Sequence, residues 1–249
     1  MMSVENGSRV ERVKPYGEGG KTEQVRQMFD AIAPAYDFMN RAMTLGIDIW
    51  WRRLAVKRLR SLSPTRILDV ATGTGDFAIQ LYKSLHPQHI TGIDLSQGML
   101  DEACRKVKEK RLENTISFEQ GDCMALPMED NTFDAVTVAF GVRNFEHLQQ
   151  GYQEMARVLR PCGMLCVLEL STPNNPLIRW FYDLYTLRII PWVGSLKSGD
   201  KSAYRYLPQS IAAVPQGYDM LQLMRNAGLR DARYKRLTLG TCTIYTAVK

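Results

Sequence analysis

The chain has 249 residues, of which 45% are hydrophobic and 23% charged, as is ordinary for a soluble globular protein. This length suits one large α/β domain with a substantial core. No run of about 18 apolar residues occurs, so no segment is expected to span a membrane. A polar N-terminus without a signal-peptide core predicts a cytoplasmic protein. Five cysteines without a C-x-x-C pair and three histidines without an acidic cluster argue against disulfides and a metal site.

The net charge of +6 is unevenly distributed along the chain. Residues 1–66 hold 12 Lys/Arg and 7 Asp/Glu, residues 67–176 hold 9 and 15, and residues 177–249 hold 11 and 4. An acidic middle suits a positively charged cofactor, whereas basic flanks attract nucleic acid or an anionic membrane surface. A solvated basic face is the alternative for either flank.

Residues 1–20 are polar and contain four glycines, which predicts a flexible arm that is ordered only when it docks. Helical spacing of apolar residues then runs from residue 23 until Pro34, and a second helix is predicted over about 49–62. That helix carries a set of basic residues and no acid: Arg52, Arg53, Lys57, Arg58 and Arg60. Residues 21–63 are therefore predicted to form a helical cap whose basic face meets an anionic membrane or solvent.

The central motif is the segment 66–76, RILDVATGTGD, which reads as strand, tight turn and helix start. Glycines allow a sharp turn or close approach to a ligand, and the first N–H groups of a helix are unpaired. The turn matches the dinucleotide fingerprint G-x-G-x-x-A. It also matches the S-adenosylmethionine loop acid-x-G-x-G-x-G, with Asp69 as the acid and Ala71 at the first glycine. The local pattern does not choose between the two cofactors.

Acids also end the next two predicted strands. The strand 89–94 ends at Asp94, 19 residues after Gly75, where a carboxylate can accept hydrogen bonds from both ribose hydroxyls. The alternative is a helix cap, by Asp94 or Ser96, for the helix predicted over about 98–111. After the strand 115–120, Asp122 is placed to receive an adenine amino group, and the Cys123 N–H to meet a ring nitrogen.

Strands at 133–139 and 164–170, a helix at 148–159 and a final hairpin complete the pattern. Strands alternating with helices imply a parallel sheet with right-handed crossovers. The section 173–213 breaks this rhythm, because the apolar residues of 175–192 occupy more than one helical face. It is interpreted as a cap on the sheet domain, as the lining of an apolar tunnel, or as a surface that rests on a bilayer.

Five segments together resemble the ubiquinone/menaquinone biosynthesis C-methyltransferases, a family of class I S-adenosylmethionine-dependent enzymes. They are 28–37 (MFDAIAPAYD), 68–76 (LDVATGTGD), 121–127 (GDCMALP), 140–144 (FGVRN) and 204–210 (YRYLPQS). The resemblance covers about residues 21–249, FGVRN is its most specific part, and the arm from Lys14 to Gln24 is similar to that of menaquinone-type members. Two positions depart from the pattern: Ala71 replaces a glycine, and Ala139 stands where many relatives have serine.

The resemblance implies a Rossmann-like α/β fold with a seven-stranded, mostly parallel sheet of order 3-2-1-4-5-7-6. It implies one domain over 21–249, with the helical cap at 21–63 and a substrate lid inserted at 173–213. The implied reaction is C-methylation of a prenylated quinol with S-adenosyl-L-methionine, which yields S-adenosyl-L-homocysteine. The substrate would be demethylmenaquinol or, alternatively, a ubiquinone-pathway benzoquinol. Peripheral contact with an anionic membrane is expected and nucleic acid is not; a homodimer is left open.

The resemblance also implies site residues. Gly73, Thr74 and Gly75 are expected around the methionine end of the cofactor, and Asp69 is expected to orient the loop or reach the amino group through water. The full expected cofactor set is Tyr36, Asp69, Gly73, Thr74, Gly75, Asp94, Asp122 and Cys123.

For the chemistry, Arg143 is expected to stabilise charge or position water, and Asn144 to hydrogen-bond. Proton or hydroxyl partners are expected from the cap and lid, namely Asp37, Tyr36, Tyr204 and Tyr206. For Arg143 the alternative is a structural ion pair with an acid such as Glu146 or Glu169.

Three rival functions remain open at this point. An NAD-dependent reductase would explain G-x-G-x-x-A but not the Gly121-Asp122 motif. A nucleic-acid-binding or modifying protein would explain the pI of 9.1, but the chain lacks a signature such as N-P-P-Y. An S-adenosylmethionine-dependent methyltransferase for another lipid or small molecule is allowed by the core motifs alone.

Overall fold

A seven-stranded sheet forms the centre of the fold, seen here in a computed structural model that describes residues 9–185 and 201–249, without the side chains of 201–204. The strands are β1 (Arg66–Val70), β2 (His89–Asp94), β3 (Ile116–Gln120), β4 (Phe133–Ala139), β5 (Leu159–Leu170), β6 (Arg230–Leu237) and β7 (Cys242–Val248). Their order is β3-β2-β1-β4-β5-β7-β6, which confirms the predicted topology. β1 to β5 pair in parallel, and β7 runs antiparallel to both β5 and β6.

Helices cover both faces of the sheet. They are α1 (Lys21–Ile32), α2 (Tyr36–Thr44), α3 (Ile47–Leu59), α4 (Asp76–Leu85), α5 (Gln97–Glu109), α6 (Leu148–Val158), α7 (Pro176–Leu184), α8 (Lys201–Ala213) and α9 (Tyr218–Asn226). Because both faces are covered, the central strands are almost wholly apolar, and Ile67, Leu68 and Val70 of β1 have no exposed surface. No helix within the described ranges is long and apolar enough to cross a bilayer.

The N-terminal cap is part of this core rather than a separate layer. In α3, Trp51, Ala55, Val56 and Leu59 are buried in the cluster that covers one face of the sheet. α1 ends at Ile32 because Pro34 follows, and a 3-10 turn leads into α2. The cap is thereby fixed above the carboxyl ends of β1, β2 and β4.

The residues that precede α1 also contact the domain. Val10 is buried, and its carbonyl oxygen accepts a hydrogen bond of 3.0 Å from Lys21 Nζ. Tyr16 N donates to Gln24 Oε1 at 2.8 Å. The described part of the predicted arm therefore lies against the cap. The lid at 173–213 stays a prediction, because residues 186–200 lie outside the described ranges.

Candidate active site

The glycine turn between β1 and α4 contains three residues with left-handed backbone. Their φ angles are 51° at Ala71, 57° at Gly73 and 76° at Gly75. A Cβ on Gly73 would have only Tyr36 Cε1 nearby, at 4.0 Å, whereas a Cβ on Gly75 would lie 2.9 Å from Phe118 Cζ. Gly73 thus leaves room for a ligand, and Gly75 is required by packing.

Asp69 holds the turn from inside the protein. Its carboxylate accepts hydrogen bonds from Thr72 Oγ1 at 2.7 Å and Thr137 Oγ1 at 2.6 Å, and only 1% of the residue is exposed. Burial raises the pKa of Asp69 to about 6, although the two hydroxyl donors oppose the shift. This geometry corresponds to the loop-orienting role; the residue does not line the cleft described below.

Asp94 stands at the end of β2 and joins the turn to the next helix. Its Oδ2 accepts from Gly73 N at 2.8 Å and its Oδ1 from Ser96 N at 3.0 Å. Burial raises the pKa of Asp94 despite these backbone donors. The side chain of Ser96, not that of Asp94, caps α5 by accepting from Met99 N at 3.1 Å. The backbone N–H of Leu95 also donates to this carboxylate. A carboxylate offers about four acceptor positions, so Asp94 keeps about one for a ligand.

An open cleft lies over these residues, at the carboxyl ends of the parallel strands where the strand order reverses. Six of the predicted residues line it: Tyr36, Gly73, Asp94, Asp122, Cys123 and Asn144. Met99 and Met124 add apolar surface, and Asp122 Oδ1 accepts from Met124 N at 2.9 Å. Two carboxylates, an unfilled glycine and apolar walls fit a cationic nucleoside such as S-adenosyl-L-methionine.

Asp37 and Thr74 lie elsewhere than the predictions imply. Thr74 Oγ1 donates to Asp37 Oδ1 at 2.6 Å, and Thr74 is buried. Lys106 Nζ, from α5, bonds Asp37 Oδ2 at 2.6 Å, Asp76 Oδ1 at 2.6 Å and Thr74 Oγ1 at 3.0 Å. Neither Asp37 nor Thr74 lines the cofactor cleft or the two neighbouring spaces described below. Their hydrogen bonds instead hold α2 and α5 against the glycine turn.

Sequence reasoning missed Lys106, although a signal was present. Lys106 shares a helix face with Met99, Ala103 and Val107, all of which are buried. A charged residue inside an apolar stripe indicates a buried ion pair.

A second cavity, of about 530 Å³ and mostly apolar, opens beside the cofactor cleft. A narrow cleft lies between them, and Tyr36 lines all three. Phe140 lines both the cofactor cleft and the second cavity. The walls of the second cavity come from the N-terminal helices, the FGVRN loop, β5, α7 and α8; they include Met43, Ile47, Trp51, Leu170, Tyr182, Tyr185, Leu207 and Ile211.

Arg143 is buried in the wall of this cavity. Its Nη1 donates to Glu169 Oε1 at 2.8 Å and to the carbonyl oxygen of Phe140. Burial lowers the pKa of Arg143, but the charge and hydrogen bond of Glu169, together with Tyr36 and Tyr206, outweigh it and the pKa is raised overall. The ion pair anticipated with Glu169 is therefore present, and the guanidinium stays charged. Glu146 instead accepts from Lys21 N and Thr22 N at the start of α1.

Asn144 is held by a side chain of α8. Tyr206 Oη, on α8, donates to Asn144 Oδ1 at 3.2 Å, and burial raises the pKa of this phenol well above its usual value. The phenol therefore acts as a donor rather than as a base. The side chain of Tyr204 lies outside the described residues.

Comparison with known proteins agrees with this architecture. Residues 18–249 match the model of the ubiE/COQ5 methyltransferase family. Demethylmenaquinone methyltransferase of Bacteroides fragilis is 49% identical over 240 residues, which cover 96% of this chain and 98% of the relative. The enzyme of the same name from Porphyromonas gingivalis is 43% identical, with coverage of 96% and 98%.

Among solved structures, the [4+2]-cyclase SpnF superposes with a TM-score of 0.69 at 20% identity, covering 92% of this chain and 96% of the cyclase, and shows the shared fold. The family match and the close relatives confirm the predicted enzyme class and the cofactor S-adenosyl-L-methionine. The chain belongs to the ubiE/COQ5 methyltransferase family.

Proposed function

We propose that this protein methylates a ring carbon of demethylmenaquinol to form menaquinol. The observation that carries the proposal is the large apolar cavity beside the cofactor cleft, separated from it by Phe140 and Tyr36. A volume of about 530 Å³ exceeds the need of a small polar acceptor and suits a bicyclic ring with part of a prenyl tail. The names of the two relatives described above support the same substrate.

The chain's residues would supply alignment and electrostatics. When bound, S-adenosyl-L-methionine supplies an electrophilic methyl carbon. Asp94 and Asp122 would hold its nucleoside half, while the cavity wall holds the ring within about 3–3.5 Å of the reacting carbon. A quinol carbon becomes nucleophilic when a ring hydroxyl gives its proton to water, and Arg143 would stabilise the resulting oxyanion. The methylated ring carbon then loses its own proton to solvent, which restores the aromatic ring. Asn144 would hydrogen-bond near the ring; for Tyr204 a role at the hydroxyl stays a prediction.

Two of the expected residues enter this proposal in changed roles. Asp37 and Thr74 would act through Lys106 by holding α2 against the turn, rather than by touching the cofactor. Tyr36 would contact both the cofactor and the quinol, because it lines the cofactor cleft and the substrate cavity.

The test is incubation with methyl-labelled S-adenosyl-L-methionine and chemically reduced demethylmenaquinone in detergent, followed by mass spectrometry of the lipid. One added ring methyl is expected. A benzoquinol of the ubiquinone pathway is assayed in parallel, because the relative from Geobacter sulfurreducens at 44% identity is named for both quinones. Already methylated menaquinol is the control and should gain nothing. Transfer to neither quinol would contradict the proposal.

Peripheral membrane association is the second part of this proposal. One face of α7 exposes a set of large apolar residues: Leu177 (67% exposed), Trp180 (59%), Phe181 (58%) and Leu184 (43%). The opposite face carries Tyr182 toward the substrate cavity. A helix with apolar residues on both faces can rest on lipid with one face and line a tunnel with the other. The basic flanks of the chain would favour an anionic surface.

Flotation with phosphatidylcholine/phosphatidylglycerol vesicles tests this part. The double variant Trp180→Ser, Phe181→Ser should lose most vesicle binding. Tyr218→Ser, at a position on α9 that is 74% exposed, should bind like the wild type. Equal flotation of all three proteins would refute α7 as the contact.

A further inference from the structure

Arg52 differs from the other basic residues of α3. Arg53, Lys57 and Arg58 are exposed, as expected for a solvated basic face, but Arg52 is only 8% exposed. It lines the large apolar cavity instead. The basic-face interpretation was therefore wrong for this residue, and its burial requires another explanation.

The guanidinium of Arg52 is fixed on one side. Its Nη1 is ion-paired with Asp48 Oδ2, and Asp48, 2% exposed, also accepts from Thr44 Oγ1 at 2.8 Å and Arg41 Nη1 at 3.2 Å. The guanidinium carbon lies 5.2 Å from the centre of the Phe140 ring. Arg52 is thus held next to the aromatic ring that lines both the cofactor cleft and the substrate cavity.

The Nε–H of Arg52 has no acceptor among the described residues. Arg143, in the wall of the same cavity, shows the same pattern: its Nη1 is occupied by Glu169, and its Nε–H is without an acceptor within the described ranges. Buried donors without acceptors are rare in native proteins. The two guanidinium groups line the same apolar cavity, and each is held there by a buried carboxylate, Asp48 or Glu169. Charged donors in an apolar wall indicate a ligand that brings oxygen acceptors with it.

We propose that the Arg52 guanidinium, which lines the cavity, binds a ring oxygen of the acceptor, with Arg143 serving the other ring oxygen. The inference rests on the proposed function, because a quinol carries two oxygens on opposite sides of its ring. The Asp48 carboxylate orients Arg52 and keeps its charge beside the cavity. Arg52 thereby becomes an acceptor-binding residue that favours rings with an ionised hydroxyl.

The test compares two small naphthoquinones as probes. 2-Hydroxy-1,4-naphthoquinone is a coloured anion at neutral pH, and 2-methoxy-1,4-naphthoquinone has the same ring without the oxyanion. Difference absorbance titration gives both dissociation constants. The wild type should bind the hydroxy compound at least about tenfold more tightly, because a hydrogen bond to a charged group contributes that much.

Arg52→Gln should reduce this preference by about tenfold, and Arg52→Lys should recover only part of it, since lysine keeps the charge but not the planar guanidinium. Arg53→Gln, on the exposed face of the same helix, is the matched control and should keep the wild-type ratio. The ratio compares two ligands on one protein, so a partial loss of folded protein affects both dissociation constants equally and leaves their ratio unchanged.

An unchanged ratio in Arg52→Gln would overturn the assignment, and so would a wild type without any preference. Failure of the proposed function has a different signature. In that case the wild type would transfer no labelled methyl to either quinol, whatever the probe ratio. Calorimetry of S-adenosyl-L-methionine binding to Arg52→Gln should match the wild type, because Arg52 does not line the cofactor cleft.

Discussion

Lys21 connects the N-terminal segment to the FGVRN loop, and its replacement by methionine tests that connection. The side chain has no exposed surface. Its ammonium donates to three carbonyl oxygens, those of Val10 at 3.0 Å, Arg143 at 3.0 Å and Phe145 at 3.1 Å. Lys21→Met keeps an unbranched apolar chain and removes all three donors.

Two opposing contributions decide the size of the effect. Burial lowers the pKa of Lys21 from 10.5 to about 7, with Glu146 opposing and Arg143 adding to the shift. At about 1.36 kcal/mol per pKa unit, holding the charged form costs roughly 4–5 kcal/mol at pH 7. Leaving buried carbonyls without donors costs about 1–3 kcal/mol each. At pH 7 the variant should therefore be close to the wild type in stability.

The pH dependence separates these contributions. Between about pH 7 and 10.5 the unfolded chain keeps a proton that folded Lys21 has released, so the wild type gains stability as pH rises. The gain from this group between pH 7 and 9 is about 2 kcal/mol. Lys21→Met lacks it, so the difference in unfolding free energy between the two proteins should widen by that amount.

Urea unfolding at pH 7, 8 and 9 measures this difference. Groups that titrate in both proteins contribute equally to the two unfolding free energies, so their contributions cancel in the difference. Lys14→Met is the matched control, because Lys14 Nζ makes a single exposed bond of 2.6 Å to the carbonyl of Gly19. A wild-type-minus-Lys21→Met difference that stays constant from pH 7 to 9 would refute the reasoning.

Three further predictions follow from single contacts. Asp94→Asn should weaken S-adenosyl-L-methionine binding about tenfold or more in calorimetry, since charge-assisted hydrogen bonds contribute about 1.5–3 kcal/mol; unchanged affinity would remove the ribose assignment. Gly141→Ala should lower the melting temperature, because its Cβ would lie 2.6 Å from Ala71 Cβ, and adding Ala71→Gly should restore part of the loss. Strict additivity would show that this contact is not the cause. Burial raises the pKa of Asp69 from 3.8 to about 6, so wild-type stability should decline from this group as pH rises from about 4 to 6. Asp69→Asn should lack that decline in urea titrations, and an identical profile would contradict the buried-carboxylate account.

The order of the elements was predictable because each strand has a signal in its own local sequence. Apolar runs that end in small or acidic residues mark β1 and β2, and a proline marks the end of α1. The order of the last two strands came from the family resemblance, since nothing local indicates that β7 inserts between β5 and β6.

The cleft residues were predictable for the same reason, because Asp94 and Asp122 stand at strand ends that meet at one edge of the sheet. The sequence did not indicate which side of a loop a given side chain faces. Thr74 is next to Gly73 in sequence, yet it points to Lys106 rather than to the cleft. The partners of Arg52 and Lys21 could not be predicted from the sequence either. A helix pattern shows that a basic residue is present, but tertiary packing decides whether that residue is buried.

The cofactor cleft and the substrate cavity share two aromatic residues in their walls, Phe140 and Tyr36, but differ in their electrostatics. The cofactor cleft is lined by the carboxylates of Asp94 and Asp122, which favour a cation, whereas the guanidiniums of Arg52 and Arg143 line the substrate cavity and favour an anion. Methyl transfer between a sulfonium and a phenolate consumes both charges, so each half of the site stabilises its own reactant. Phe140 separates the halves without adding a charge. A substitution that removes one of these charges should therefore weaken the affinity for the ligand on its own side more than it lowers turnover.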